Sequence, residues 1–310
     1  MHVKRTESYN AWVQLGEALK SAIAKLQNAG VDEARISVDA LVFHVLGCDR
    51  AYLFAHPERE LSAAEQDRLE ALVERRAAGE PLQYLTGKQE FWGAEFEVSP
   101  AVLIPRPETE HLVEETLKLA GKAPLKPKTG LNGPPGGSPR ATSSRLKIVD
   151  VGTGSGAIAI SLARELPEAE VWAVDLSPEA LAMARCNAER LGAQVQFAQS
   201  DVLAAVERSG SFDFVVSNPP YVGLNEADKV QQVVRDHEPQ MAVFAGDDGL
   251  AVIRRLIPQA HEALRAGGWL LMEIGYSMSE RVMALLADWD EVHTVPDLAG
   301  IPRVVVARKR

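Results

Sequence analysis

The residues best suited to chemistry are Asn218-Pro219-Pro220-Tyr221, which follow Ser217 at the end of the apolar run Phe212 to Val216. Proline has no N–H for a sheet ladder and biases the residue before it towards extended backbone. Asn218 is therefore expected at the carboxyl end of a buried strand with its polar groups left free. Open parallel sheets place their ligands at that end. A carboxamide or exocyclic amine nitrogen is a poor nucleophile, because its lone pair is delocalised. The Asn218 side-chain oxygen and the Pro219 carbonyl can accept its two N–H hydrogens and aim the lone pair at an electrophilic methyl group, while Tyr221 stacks on the planar acceptor.

A second group supplies a place for the donor. Asp150-Val151-Gly152-Thr153-Gly154-Ser155-Gly156 links an apolar strand, Lys147 to Val151, to a helical pattern running to about Leu166. Glycines there let the backbone turn tightly and approach a ligand, and the helix start offers free N–H groups. With Ala157 the spacing also fits G-x-G-x-x-G/A, so the loop alone leaves a nicotinamide dinucleotide and S-adenosylmethionine both open. Asp175, 23 residues after Gly152, closes the next strand, where a carboxylate can accept the ribose hydroxyls of either. Asp201 follows the third strand. It could accept from the exocyclic amine of an adenine while Val202 packs on the ring, or it could cap the next helix. The position of the Asn-Pro-Pro-Tyr tetrad after strand four favours methyl transfer over hydride transfer.

These groups need a scaffold, and the chain supplies the alternation of one. From Leu146 short apolar strands alternate with helical patterns, the signature of an α/β doubly wound sheet. Strands are expected at Lys147 to Val151, Glu170 to Val174, Val195 to Ala198, Phe212 to Ser217, Trp269 to Ile274, Glu291 to Val295 and Val304 to Ala307. Ser177-Pro178 marks a helix start. Upstream, apolar residues recur at helical spacing. Trp12, Leu15, Leu19, Ile23 and Leu26 form one stripe, and Ile36, Ala40, Leu41, His44, Val45 and Leu46 form a second that stops at Gly47. Ser62 with Glu65 has the pattern of a capping box for a helix burying Leu69, Leu72 and Val73. The strand pattern from Phe91 to Val98, followed by Ser99-Pro100 and Leu103-Ile104, predicts a hairpin between the helical region and the sheet. Ile104-Pro105-Arg106-Pro107-Glu108-Thr109-Glu110 then leads into a helix from about Glu108 to Leu119.

At 310 residues, two domains are expected. The formal net charge of -10 argues against tight, sequence-independent nucleic-acid binding, so no stable nucleic-acid partner is expected. Cys48 and Cys186 have no metal-ligand or disulfide spacing and are expected to be buried. No metal is expected. The first ten residues lack the apolar stretch of a signal peptide, and no run approaches a membrane span, so a cytoplasmic location is expected. Residues 121–146 are rich in Pro, Gly, Ser and Thr and contain Lys122, Lys126, Lys128, Arg140 and Arg145 without an acid. They are expected to form a disordered insertion, either a solvated loop or a basic arm.

Taken together, these stretches closely resemble the bacterial protein-(glutamine-N5) methyltransferases that modify peptide-chain release factors. The resemblance rests on Gly79-Glu80-Pro81-Leu82-Gln83-Tyr84-Leu85-Thr86-Gly87, Phe91-Trp92-Gly93, Leu103 to Glu110, Gly152 to Gly156, Asn218 to Tyr221, and Asp297-Leu298-Ala299-Gly300 with Arg303. The tetrad alone is shared with adenine-N6 methyltransferases, which remain the alternative. The resemblance implies a Rossmann-like class I S-adenosylmethionine-dependent methyltransferase sheet in residues 107–310 and a small N-terminal helical bundle in 1–88 that recognises the substrate. Residues 89–106 would be a β-hairpin linker. It implies S-adenosyl-L-methionine as cofactor, held by Gly152, Thr153, Gly154, Ser155, Gly156, Asp175, Val202 and Asn218, to which the reading of the strand ends adds Asp201. The partner would be a release factor, its Gly-Gly-Gln glutamine held by Asn218 to Tyr221. Phe91, Arg106 and Glu108 would lie near that substrate. A monomer is expected. Residues 121–146 depart from the family pattern.

Overall fold

A computed structural model describes residues 13–121, 145–206 and 210–310. Trp12 and almost all of the expected insertion lie outside the described residues. The chain divides into two compact units, Met1–Gly87 and Lys88–Arg310.

The first unit is helical: α1 (Leu15–Asn28), α2 (Ala34–Leu46), α3 (Arg50–Ala55), α4 (Ala63–Ala77) and α5 (Leu82–Thr86). Leu15, Leu19 and Leu26 of α1 are buried as their spacing requires. In α2 the buried face is Ala34, Val38, Leu41, Val42 and Val45, whereas Ile36 is exposed. That helix is apolar nearly all round, so spacing alone did not single out the core face. Ser62 and Glu65 form the expected capping box at the start of α4. The Glu80 to Gly87 stretch makes α5, whose Leu85 is buried in the same core.

The second unit opens with a hairpin, β1 (Lys88–Phe91) paired to β2 (Ala94–Glu97). Its turn is Trp92-Gly93, with φ of 51° and 68°, so it lies earlier than the expected Ser99-Pro100 turn. Two successive positive φ values match the twist of a two-residue hairpin. The uncommon left-handed Trp92 is held by its N–H to Glu110 Oε1 at 2.7 Å and by Nε1 to Glu165 Oε1 at 3.0 Å. A 3-10 turn (Pro107–Thr109) precedes α6 (Glu110–Leu119).

The sheet follows: β3 (Lys147–Val151), α7 (Ala157–Glu165), β4 (Glu170–Asp175), α8 (Pro178–Leu191), β5 (Gln196–Gln199) and β6 (Phe212–Ser217). A 3-10 turn (Leu224–Lys229), α9 (Gln232–His237), α10 (Gln240–Val243) and α11 (Ala251–Ala263) fill the long excursion before β7 (Leu264–Glu273). The unit ends with α12 (Ser279–Ala284), β8 (Asp290–Pro296) and β9 (Pro302–Arg308). β7 begins five residues before the expected Trp269, because Leu264 already pairs with Phe212 and the left-handed Gly267 (φ 73°) lies within the strand. Strand order is β5-β4-β3-β6-β7-β9-β8, parallel throughout except for β9. The order reverses between β3 and β6, where Val151 lies beside Ser217 in register. Such a switch point opens a crevice beyond the strand ends. Apolar cores lie on both faces of the sheet. Cys186, expected to be buried, is exposed on α8, whose buried face is Ala180, Leu181, Ala184, Asn187 and Ala188. Cys48 is half-buried.

Candidate active site

A cavity of about 350 Å³ occupies the switch point. The turn from β3 to α7 brings Gly152, Thr153, Gly154 and Ser155 to its wall, β4 brings Asp175, the turn after β5 brings Asp201 and Val202, and β6 brings Asn218, Pro219 and Pro220. From outside the sheet come Arg106 and Thr109.

Gly152 (φ 73°) and Gly154 (φ 56°) take left-handed backbone that L side chains rarely adopt, and a Cβ at either would meet nothing within 4 Å. The open space beside that backbone lets a ligand approach the peptide plane directly. Gly156 lies at the cap of α7 and is not among the residues lining the cavity. Beneath the turn, Asp150 is fully buried. Its Oδ2 accepts from Thr153 Oγ1 at 2.7 Å and from the Ala159 N–H at 3.2 Å. Burial pushes its carboxyl up to about 7, against the pull of those two donors. Asn187 ties the turn to the hairpin, donating Nδ2 to the carbonyls of Ser155 (3.0 Å) and Glu97 (2.9 Å) and accepting the Glu97 N–H (2.7 Å).

Asp175 accepts the N–H of Gly154 (2.9 Å) with one oxygen and that of Ser177 (2.9 Å) with the other. Each carboxylate oxygen retains acceptor capacity towards the cavity, so the group fits a vicinal diol. Val202 is buried at φ 56°, an outlier for a β-branched residue, as occurs where a site fixes an unfavourable backbone. Asp201 lines the cavity and is ion-paired with Arg255, and among the described residues no helix follows it before β6 for it to cap. The glycine wall, the acid at the end of β4 and the apolar Val202 suit an adenosine-sized ligand.

On the other wall Asn218 Nδ2 donates to Thr109 Oγ1 at 3.1 Å, which in turn donates to Glu273 Oε2 at 2.6 Å. Tyr221 is not among the residues lining the cavity. Its hydroxyl donates to Glu273 Oε1 at 3.2 Å. Burial, and then the negative charge of Glu273, raise the Tyr221 hydroxyl above its usual range. Burial likewise raises Glu273, opposed by hydrogen bonds from Thr109 and Tyr221.

The upstream segment divides. Arg106 lines the cavity and pairs with the buried Glu238, whose Oε2 also accepts the Ile104 N–H at 3.2 Å. Glu108 lies outside the lining, close enough to Glu273 and Arg303 to act on both electrostatically. Phe91 is a correction: it is 1% exposed in the core, edge-on to Phe96 at 6.0 Å, and does not reach the cavity. Thr109, Glu238 and Glu273 were missed. Thr109 stood inside a quoted motif, but nothing local marks Glu238 or Glu273, which meet the site only through the fold.

The PrmC N-terminal domain model matches residues 17–87, and the Methyltransferase small domain model matches residues 140–240. The hMettl16 catalytic domain, solved in complex with MAT2A 3'UTR hairpin 6, shares the fold with a TM-score of 0.51 over 84% of this chain and 92% of that one, at 16% identity. The release factor glutamine methyltransferase of Koribacter versatilis is 53% identical over 95% of this chain and 98% of its own. That of Geobacter sulfurreducens is 37% identical over 98% and 99%. With identity of that extent along nearly the whole chain, and with a class I methyltransferase sheet carrying the glycine turn and the tetrad at one crevice, the chain belongs to the release factor glutamine methyltransferase family.

Proposed function

We propose that this chain methylates the side-chain amide nitrogen of the glutamine in the Gly-Gly-Gln motif of peptide-chain release factors, using S-adenosyl-L-methionine. The observation that carries this reading is the orientation of Asn218. Its Nδ2 donates one hydrogen to Thr109 Oγ1, so Oδ1 is turned the other way, as an acceptor at the wall that also carries the glycine turn. Oδ1 and the Pro219 carbonyl would accept the two N–H hydrogens of the glutamine amide and hold its lone pair towards the donor. When bound, the cofactor supplies an electrophilic methyl carbon. Gly152 to Ser155 would bind it by backbone N–H groups, Asp175 by its ribose and Val202 by the adenine face. Asp201 would take the adenine amine on the oxygen not engaged by Arg255. Asn218 and Pro219 would stabilise charge as it develops on the nitrogen, and the released proton passes to a carbonyl acceptor or to water. Tyr221 serves as a brace rather than a stacking plate.

The helical unit would contact the release factor, a role supported by the match of the PrmC N-terminal domain model. No described helix is long and apolar enough to cross a membrane. Action as a cytoplasmic monomer, without stable nucleic-acid binding, belongs to the same proposal. The test is incubation with labelled S-adenosylmethionine and purified release factor, with nucleic acid in a parallel tube, followed by mass-spectrometric mapping of the label. Label on the Gly-Gly-Gln glutamine is expected, and label on an adenine alone would overturn the reading.

A further inference from the structure

The acceptor site depends on which way round the Asn218 amide sits. Its oxygen offers an acceptor to a substrate amide, whereas its nitrogen would offer only further hydrogens. The backbone at Asn218 does not set this choice, and the hydrogen-bond chain behind it does. Glu273, the last residue of β7, is 3% exposed and divides its two oxygens between Thr109 Oγ1 (2.6 Å) and the Tyr221 hydroxyl (3.2 Å). A hydroxyl has one hydrogen. Thr109 gives it to Glu273 and can therefore only accept from Asn218, which donates Nδ2 at 3.1 Å. Were the carboxylate absent, the Thr109 hydrogen would be free to turn towards Asn218, and the amide could flip to present its NH₂ to the substrate.

We propose that Glu273 is a positioning residue that sets the donor and acceptor polarity of the substrate-amide site, acting on Asn218 through Thr109 and on the tetrad's far end through Tyr221. This rests on the reading that a substrate amide is the methyl acceptor. A neutral apolar residue at 273 would leave both hydroxyls without their acceptor. At 109, serine keeps the relay, while valine keeps the volume and β-branching but breaks it.

The experiment is steady-state methylation of purified release factor by the full chain and by Thr109→Ser, Thr109→Val, Glu273→Leu and the double variant Thr109→Val/Glu273→Leu. Calorimetric S-adenosylmethionine binding and thermal melting are measured on each. Thr109→Val is expected to lower kcat about 10- to 100-fold while KM for the release factor and cofactor affinity stay within about threefold, because orientation and not binding is lost. Thr109→Ser is expected to restore most of the rate. If Glu273 acts on Asn218 through Thr109, the double variant falls well short of the product of the two single losses. Thr109→Val as fast as the parent, or losses that multiply, would overturn the inference. Should Glu273→Leu fail to fold, Glu273→Gln, which keeps the volume but only one acceptor oxygen, takes its place in the cycle with Thr109→Val and decides it by the same criterion. A parent enzyme that leaves the release factor unmodified overturns the function itself, an outcome distinct from a working parent matched by Thr109→Val.

Discussion

Gly249 stands directly against Tyr221: a Cβ built on the glycine would come within 2.3 Å of the Tyr221 carbonyl oxygen. The excursion after β6 thus folds back onto the tetrad, and it is stitched there by Val222 N–H to Val243 O (3.1 Å), Ala245 N–H to Val222 O (2.9 Å) and Leu224 N–H to Gly246 O (2.9 Å). Because Gly249 also has φ of 77°, Gly249→Ala combines a steric clash with backbone strain. We expect a loss of about 2 to 4 kcal/mol in stability, and methylation reduced more than about tenfold at temperatures where the protein remains folded. Chemical denaturation and methyl incorporation measure the two effects, and a variant indistinguishable from the parent would contradict the packing described.

Asn218→Ala removes the oriented acceptor while leaving the core intact, since Asn218 is only half-buried beyond the fully buried Ser217. A rate loss of about 100-fold or more is expected, of the size seen when one oriented transition-state partner is deleted. Melting should shift little. Near-parental methylation would remove Asn218 from the site.

Asn187 is fully buried and satisfies both backbone groups of Glu97 as well as the Ser155 carbonyl. Asn187→Ala leaves those groups unsatisfied in the interior and is expected to cost about 2 to 4 kcal/mol. A lower urea midpoint with an unchanged slope is the signature to look for.

Stability should also depend on pH through Asp150, whose native carboxyl is raised from 3.8 to about 7 by burial. Between those values the native state holds more protons than the unfolded chain, so stability falls as pH rises, by at most about 4 kcal/mol for this group. Glu273, raised in the same direction, adds to the slope. Carboxylates held low by donors and cations, such as Glu65 (lowered from 4.5) and Asp297 (lowered from 3.8), act in the opposite sense and lose their contribution as pH falls, below about pH 5. Asp150→Asn should therefore flatten the decline between pH 5 and pH 8 in urea titrations, and an unchanged slope would show that Asp150 does not carry it.

Much of the scaffold was legible because its signals are local. An apolar run stopped by two prolines placed β6 and its exposed end, Ser177-Pro178 placed the start of α8, and the glycine turn between Val151 and Ala157 placed the cofactor wall. The unread parts depend on distant partners. Thr109 and Glu273 are 164 residues apart, and neither side chain has meaning until β7 brings them together. The hairpin turn was misplaced because Trp92 reads as a strand residue, whereas Glu110 and Glu165 hold it in a left-handed turn. Phe91 shared a motif with its neighbours, but packing against Phe96 took it into the core.

The place of β9 has a consequence for biosynthesis. This strand, the last of the sheet to be synthesised, lies between β7 and β8. While residues 302–308 are still inside the ribosome's exit tunnel, β8 has no partner to join it to the sheet and β7 presents an open edge. The methyltransferase sheet can therefore close only once residues 302–308 have left the tunnel, and until then the nascent chain exposes a β-edge to its neighbours on the same messenger.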